Sequence, residues 1–160
     1  MSGQGDTLQV VVFRVGGHEF AFHIFEVQRV IGYQAPAALP KAPRFLEGVL
    51  QVEGAVVPVI DLRKRFELPH APLGPETRLM VVEAEGAVVG AVVDAVVEVL
   101  RVAADRVAAP PPVVRGLAAA YVQGILTLPG RTVVLLHAAR LLTSAERIAL
   151  KEIGAETAHG

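Results

Sequence analysis

Apolar residues in this chain come in short runs of Val, Ile, Phe and Leu bounded by Gly and Pro, as expected for β-strands joined by tight turns. Inward and outward positions alternate in Val11-Val12-Phe13-Arg14-Val15 and in Glu19-Phe20-Ala21-Phe22. The unbroken runs Val56 to Ile60 and Thr132 to Leu136 predict strands buried on both faces, as in a barrel or at a contact between barrels. Gly16-Gly17, Glu53-Gly54, Glu85-Gly86 and Pro129-Gly130 each separate two apolar runs and supply the glycine that a tight turn with positive φ requires, so four hairpins are expected. Helix is sparse. Leu62–Phe66 forms a turn or two that Asp61 is placed to cap, and Asp105 caps a short turn. His137–Ile153 is the one long candidate, with Leu141, Leu142, Ile148 and Ile153 apolar and Ser144 a cap for its second part.

One unit recurs. Gly48 to Phe66 and Gly124 to Leu142 both open with Gly and an apolar strand, turn at a second glycine (Gly54, Gly130), add another apolar strand and close on a short amphipathic segment. Val11–Ile31 likewise superposes on Met80–Leu100, matching Gly17 with Gly86 and Val30-Ile31 with Val99-Leu100. Two related β-barrels joined near Pro69–Pro75 follow, with halves over residues 9–68 and 76–136. Residues 1–8 and 154–160 read as loose ends, and 137–153 as a C-terminal helix.

Composition narrows the class. At 160 residues and 52% hydrophobic, the chain suits one folded domain or two small ones sharing a core. A net charge of about −1 with mixed signs leaves no basic footprint for nucleic acid or a membrane surface. Without cysteine there is no disulfide framework, thiolate metal site or Cys nucleophile. MSGQGDTLQ has no basic or apolar leader region, and Asp94 and Glu98 break the longest apolar runs. A cytoplasmic protein without membrane insertion is expected.

Candidate chemistry is thin. Ser2 and Ser144 sit in a loose end and at a cap, outside any nucleophile elbow. His18, His23, His70, His137 and His159 are scattered without metal-ligand spacing, so no metal is expected, and no glycine loop cradles a phosphate, so no cofactor is expected. Asp61 and Asp94 both follow apolar strands, where paired carboxylates act as acid and base. The ordinary reading outweighs that: Asp61 caps the helical turn, and Asp94 satisfies backbone amides at a strand bend.

These residues carry a resemblance. Phe20-Ala21-Phe22 with Ile24 and Val27-Gln28, Ile31-Gly32-Tyr33, Pro43 with Phe45-Leu46, Gly48-Val49, Gly54, Val57-Pro58-Val59-Ile60-Asp61-Leu62-Arg63, Val89-Gly90-Ala91-Val92-Val93-Asp94 and Tyr121-Val122-Gln123-Gly124 stand in an order similar to that of the CheW family of chemotaxis coupling proteins, from about Leu8 to Leu150. The resemblance implies an all-β fold of two intertwined five-stranded SH3-like barrels with a groove between them, and a protein without catalytic activity. It also implies two partners, the cytoplasmic hairpin of a chemoreceptor and the CheW-like regulatory domain of a CheA-type histidine kinase, with self-association within arrays as a further contact. On this basis Val27, Arg29, Glu53, Val56 and Arg78 are expected at the receptor groove, with Arg78 alongside Val27 and Val56. Gly48 and Gly54 are expected at the kinase interface.

Two departures stand out. The family typically has Glu where this chain has Arg29 and Arg where it has Glu53, so an Arg29–Glu53 pair of opposite polarity is expected. Folding should hardly respond, since a surface ion pair stabilises by roughly 0.2–1 kcal/mol, but like charges meeting across an interface cost several kcal/mol. The alternative is therefore a divergent CheW-like protein that binds receptors or a nonstandard partner without recruiting the kinase in the usual way. A small enzyme or ligand-binding barrel is a third reading, from another class.

Overall fold

The computed structural model describes residues 6–42, 44, 46–109 and 120–142. Eleven strands in this part of the chain form two mixed sheets. The first half supplies β1 (Thr7–Val15), β2 (His18–His23), β3 (Val27–Gly32), β4 (Leu46–Val52) and β5 (Ala55–Asp61), followed by the short helix α1 (Leu62–Arg65). The second half supplies β6 (Arg78–Ala84), β7 (Ala87–Val93), β8 (Ala95–Ala103), β9 (Val107–Ala108), β10 (Val122–Leu128) and β11 (Arg131–Leu136). All four expected hairpins are present as β1–β2, β4–β5, β6–β7 and β10–β11.

The halves are intertwined. Sheet A runs β8-β1-β2-β11-β10-β9 and sheet B runs β3-β6-β7-β5-β4, so each takes two strands from one half and the rest from the other. The halves meet twice inside each sheet, once through an antiparallel pair (β1 with β8, β3 with β6) and once through a parallel pair (β2 with β11, β5 with β7). The sheets curl closed in the same way. In sheet A, β9 follows β8 in sequence and pairs with β10 at the far edge; in sheet B, Ala37 follows β3 and bridges to Val49 on β4. Barrel A has six strands against the five expected, because residues 107–108 pair as a strand of their own.

Burial follows this double closure. Val10, Val12, Ala21, Leu126, Val133 and Leu135 fill barrel A, while Val11, Phe13, Val15, Phe22, Ile60, Met80, Val82 and Ala91 meet between the barrels. Strand β1, which reads in sequence as alternating, is thus buried on both faces from Val10 to Phe13, because its outward side is the inter-barrel core. It also begins at Thr7, inside the stretch expected to be a loose end, since Thr7 and Leu8 pair with Ala103 and Val102. At the other end of the domain, the described part of the expected His137–Ile153 helix is a single 3-10 turn, Ala138–Arg140, with Leu141 and Leu142 buried behind it. Residues 143–153 lie outside the described residues. No helix among the described residues is long and apolar enough to cross a membrane.

Candidate functional site

Directly paired residues in a β-ladder point to the same side of the sheet, so the register sorts the candidate residues by face. Val27 and Val30 on β3 pair with Val82 and Met80, both in the inter-barrel core. Val56 shares the face of Ile60, another member of that core, because the two lie four residues apart on β5. On sheet A, Val99 pairs with Val11 of the same core. Val30, Val56 and Val99 are 41%, 38% and 53% exposed, so an apolar margin of the inter-barrel face is open to solvent. Val30 and Val99 were absent from the expected site, although their matched places in the repeat were a usable signal.

Arg29 and Glu53 belong to a different surface. Arg29 pairs with Val81, whose side faces the interior of barrel B, and it lies where β3 and β4 approach without a continuous ladder. From there its Nη1 and Nη2 donate to the two carboxylate oxygens of Glu53, both at 2.7 Å. The expected pair therefore exists, as a clip across the end of barrel B at the β4–β5 turn that also holds Gly54. A Cβ at Gly54 would meet nothing within 4 Å, so the tip of this turn is open.

The remaining two candidates, Arg78 and Gly48, are each held by local contacts. Arg78 pairs with Gly32 and Val93 and shares the face of Met80 and Val82, two residues along β6 from the partner of Val30 and four, about 13 Å, from the partner of Val27. Its guanidinium donates to the carbonyl oxygens of Pro75 and Thr77, both at 2.9 Å. Gly48 is buried at a register shift in β4, with φ +152°, and a Cβ there would run into the backbone of Ala37. That glycine lets the end of the β3 segment close the barrel.

The two carboxylates weighed as an acid–base pair are committed elsewhere. Asp61 Oδ1 accepts from the Arg63 amide at 2.8 Å and caps α1. Burial raises the Asp61 carboxyl above its ordinary value, against the pull of that amide. Asp94 Oδ2 accepts the Gly16 amide at 2.8 Å, as expected at the bend where β7 leaves sheet B for sheet A as β8. Arg63, which sequence reasoning did not assign, donates to Asp94 from Nε at 3.1 Å and Nη2 at 2.5 Å, and from Nη1 to the Pro69 carbonyl at 2.6 Å. The cleft of about 170 Å³ beside them, bounded by Tyr33, Glu47, Lys64 and His70, has its charges paired in the same way, with Lys64 donating to Glu47 at 2.6 Å. Among the described residues no group of three or more His, Asp and Glu side chains is arranged to hold a metal.

One more feature stands at the crossing from β2 to β3. Phe25, on the 3-10 turn Ile24–Glu26, is 81% exposed and stacks on His23 at 5.1 Å; the His23 Nε2 is 3.1 Å from Gln123 Oε1.

A family model described as a CheW-like domain matches residues 9–146, which include both barrels and both surfaces. The chain belongs to the CheW family. It is 31% identical over 146 residues to the chemotaxis protein CheW of Klebsiella aerogenes, covering 91% of this chain and 88% of that one. It is also 31% identical over 140 residues to protein FrzA of Myxococcus xanthus, covering 86% and 87%. Among solved structures, the scaffolding protein TtCheW from Thermoanaerobacter tengcongensis superposes with a TM-score of 0.76 at 31% identity, over 81% of this chain and 88% of that chain.

Proposed function

We propose that this protein is a non-catalytic adapter of a chemosensory array, coupling chemoreceptors to a CheA-type histidine kinase on the cytoplasmic side. The observation that carries this reading is the presence of two unlike surfaces on one double barrel: exposed apolar side chains of the inter-barrel face at Val30, Val56 and Val99, with Val27 half-buried behind them, and a charged barrel end at Arg29, Glu53 and Gly54. An exposed apolar strip suits the seam of a helical hairpin, and a barrel end suits another barrel. The receptor hairpin belongs to the first and the kinase regulatory domain to the second. Arg78 stays on the receptor side, on the face of Met80 and Val82, with its guanidinium held by its own loop.

Isothermal calorimetry with a receptor hairpin peptide and the kinase regulatory domain of the same system tests this directly. Micromolar binding of each, with one bound while the other is titrated, is expected. Binding of neither would refute the adapter.

A further inference from the structure

The internal repeat provides a built-in control for the Arg29–Glu53 pair. Arg29 on β3 and Glu98 on β8 occupy equivalent places: each follows a one-residue bulge, at Gln28 and Val97, and each faces an inward residue, Val81 and Val12. Each is also tied to the hairpin that completes its own barrel, Arg29 to Glu53 in the β4–β5 turn and Glu98 to Arg131 at the start of β11. The polarity is opposite. In barrel B the cation is on the third strand of its half and the acid on the hairpin; in barrel A the acid is on the strand and the cation on the hairpin.

The surroundings differ as much as the sign. Arg131 Nη1 donates to Glu98 at 2.6 Å and its Nε to Glu19 at 2.9 Å, and Glu19 lies 4.0 Å from Arg14. Two acids and two bases there compensate one another, and the Arg131 side chain is only 30% exposed. Glu53 is 69% exposed and Arg29 40%, and their charges stand side by side next to the open tip at Gly54. The first arrangement is built to hold barrel A closed. The second presents a dipole to whatever docks on the end of barrel B.

We propose that Arg29 and Glu53 are the specificity-determining pair of that barrel end. They select a partner surface that sets a carboxylate against Arg29 and a lysine or arginine against Glu53, and they reject one with the reverse order through like-charge contact. This rests on the adapter reading, and the partner is the kinase regulatory domain, because the pair lies beside Gly54 on the barrel end and not on the inter-barrel face of Val27, Val30 and Val56. Exposed ion pairs contribute little to stability, so exchanging the two charges changes the outward field while leaving the clip in place.

The test compares two exchanged full-length variants, Arg29→Glu/Glu53→Arg and Glu98→Arg/Arg131→Glu, for melting temperature and for affinity to the kinase regulatory domain of the same system. The first is expected to melt within about 2 °C of the wild type and to bind at least about tenfold more weakly, with the deficit shrinking at high salt. The second is expected to melt lower and to bind within about twofold of the wild type where folded. Unchanged affinity for the first variant beside a binding wild type would overturn the inference while leaving the adapter intact. A large fall in its melting temperature would also overturn it, by making the pair structural. A wild type that does not bind the domain would instead refute the adapter reading on which the inference rests.

Discussion

Glu26 pays for its position between the barrels. Burial pushes its carboxyl above the ordinary value, with His23 pulling it back, and Oε1 has no hydrogen-bond partner among the described residues. A folded-state value above the unfolded one means that the native form holds the proton longer. Stability is therefore lost as pH rises from about 4.5 through the raised value and is flat beyond it. Glu26→Gln is expected to melt higher than the wild type at pH 7 and to lose that advantage near pH 4; a lower melting temperature at pH 7 would contradict this. His137 has the opposite sign. Burial, with Arg140 adding to it, lowers its value, so its contribution is intact above about 6.5 and declines as pH falls below that. His137→Asn should flatten that acid limb in melting curves. At this scale, what was legible in sequence was local. The Asp61 cap spans two residues, whereas Asp94 finds Gly16 and Arg63 at separations of 78 and 31 residues, which no spacing rule reaches. Removing the shared acceptor of these bonds, Asp94→Ala, is expected to cost about 2–3 kcal/mol in denaturant unfolding, since it orphans the less exposed Arg63 guanidinium as well as an amide.

Strands and turns were readable because their signals lie within a few residues. Glu53-Gly54 and Glu85-Gly86 show positive φ at both positions, the geometry that two-residue hairpins favour. Strand β1 reads as alternating around Arg14, but its Val10-Val11-Val12-Phe13 run is unbroken and carries the signal of a strand buried on both faces, the second face being the inter-barrel core. Gly48, expected at the kinase interface, is constrained by the backbone of Ala37 crossing behind it, which no local pattern signals, and Gly124 is its counterpart, backed by Val107 and by the Ala108 carbonyl. Both sit at register shifts, so the repeat preserves the closure device itself. Gly48→Ala is expected to destabilise by about 1–3 kcal/mol through overpacking and backbone strain, with Gly54→Ala costing less because its surroundings are open. Equal losses at the two positions would contradict the closure role.

For the whole molecule, the duplication was legible and the exchange between halves was not. Sheet A joins β2 to β11, and sheet B joins β5 to β7, through parallel contacts between segments of different halves, which no local residue pattern signals and only the family resemblance implies. The exchange matters for function because it welds the two surfaces to a common core: Val30 and Val56 ride on barrel B, Val99 on barrel A, and the Arg29–Glu53 end on barrel B again. An adapter needs such a body, able to hold two partners at once. The most direct measurement is cosedimentation of the kinase regulatory domain with receptor hairpins displayed on vesicles, with and without this protein. The account predicts that the domain pellets only when the protein is present, and that Arg29→Glu/Glu53→Arg leaves the protein itself on the vesicles while releasing the domain. Pelleting of the domain to the same extent without the protein, or no pelleting with it, would contradict the account.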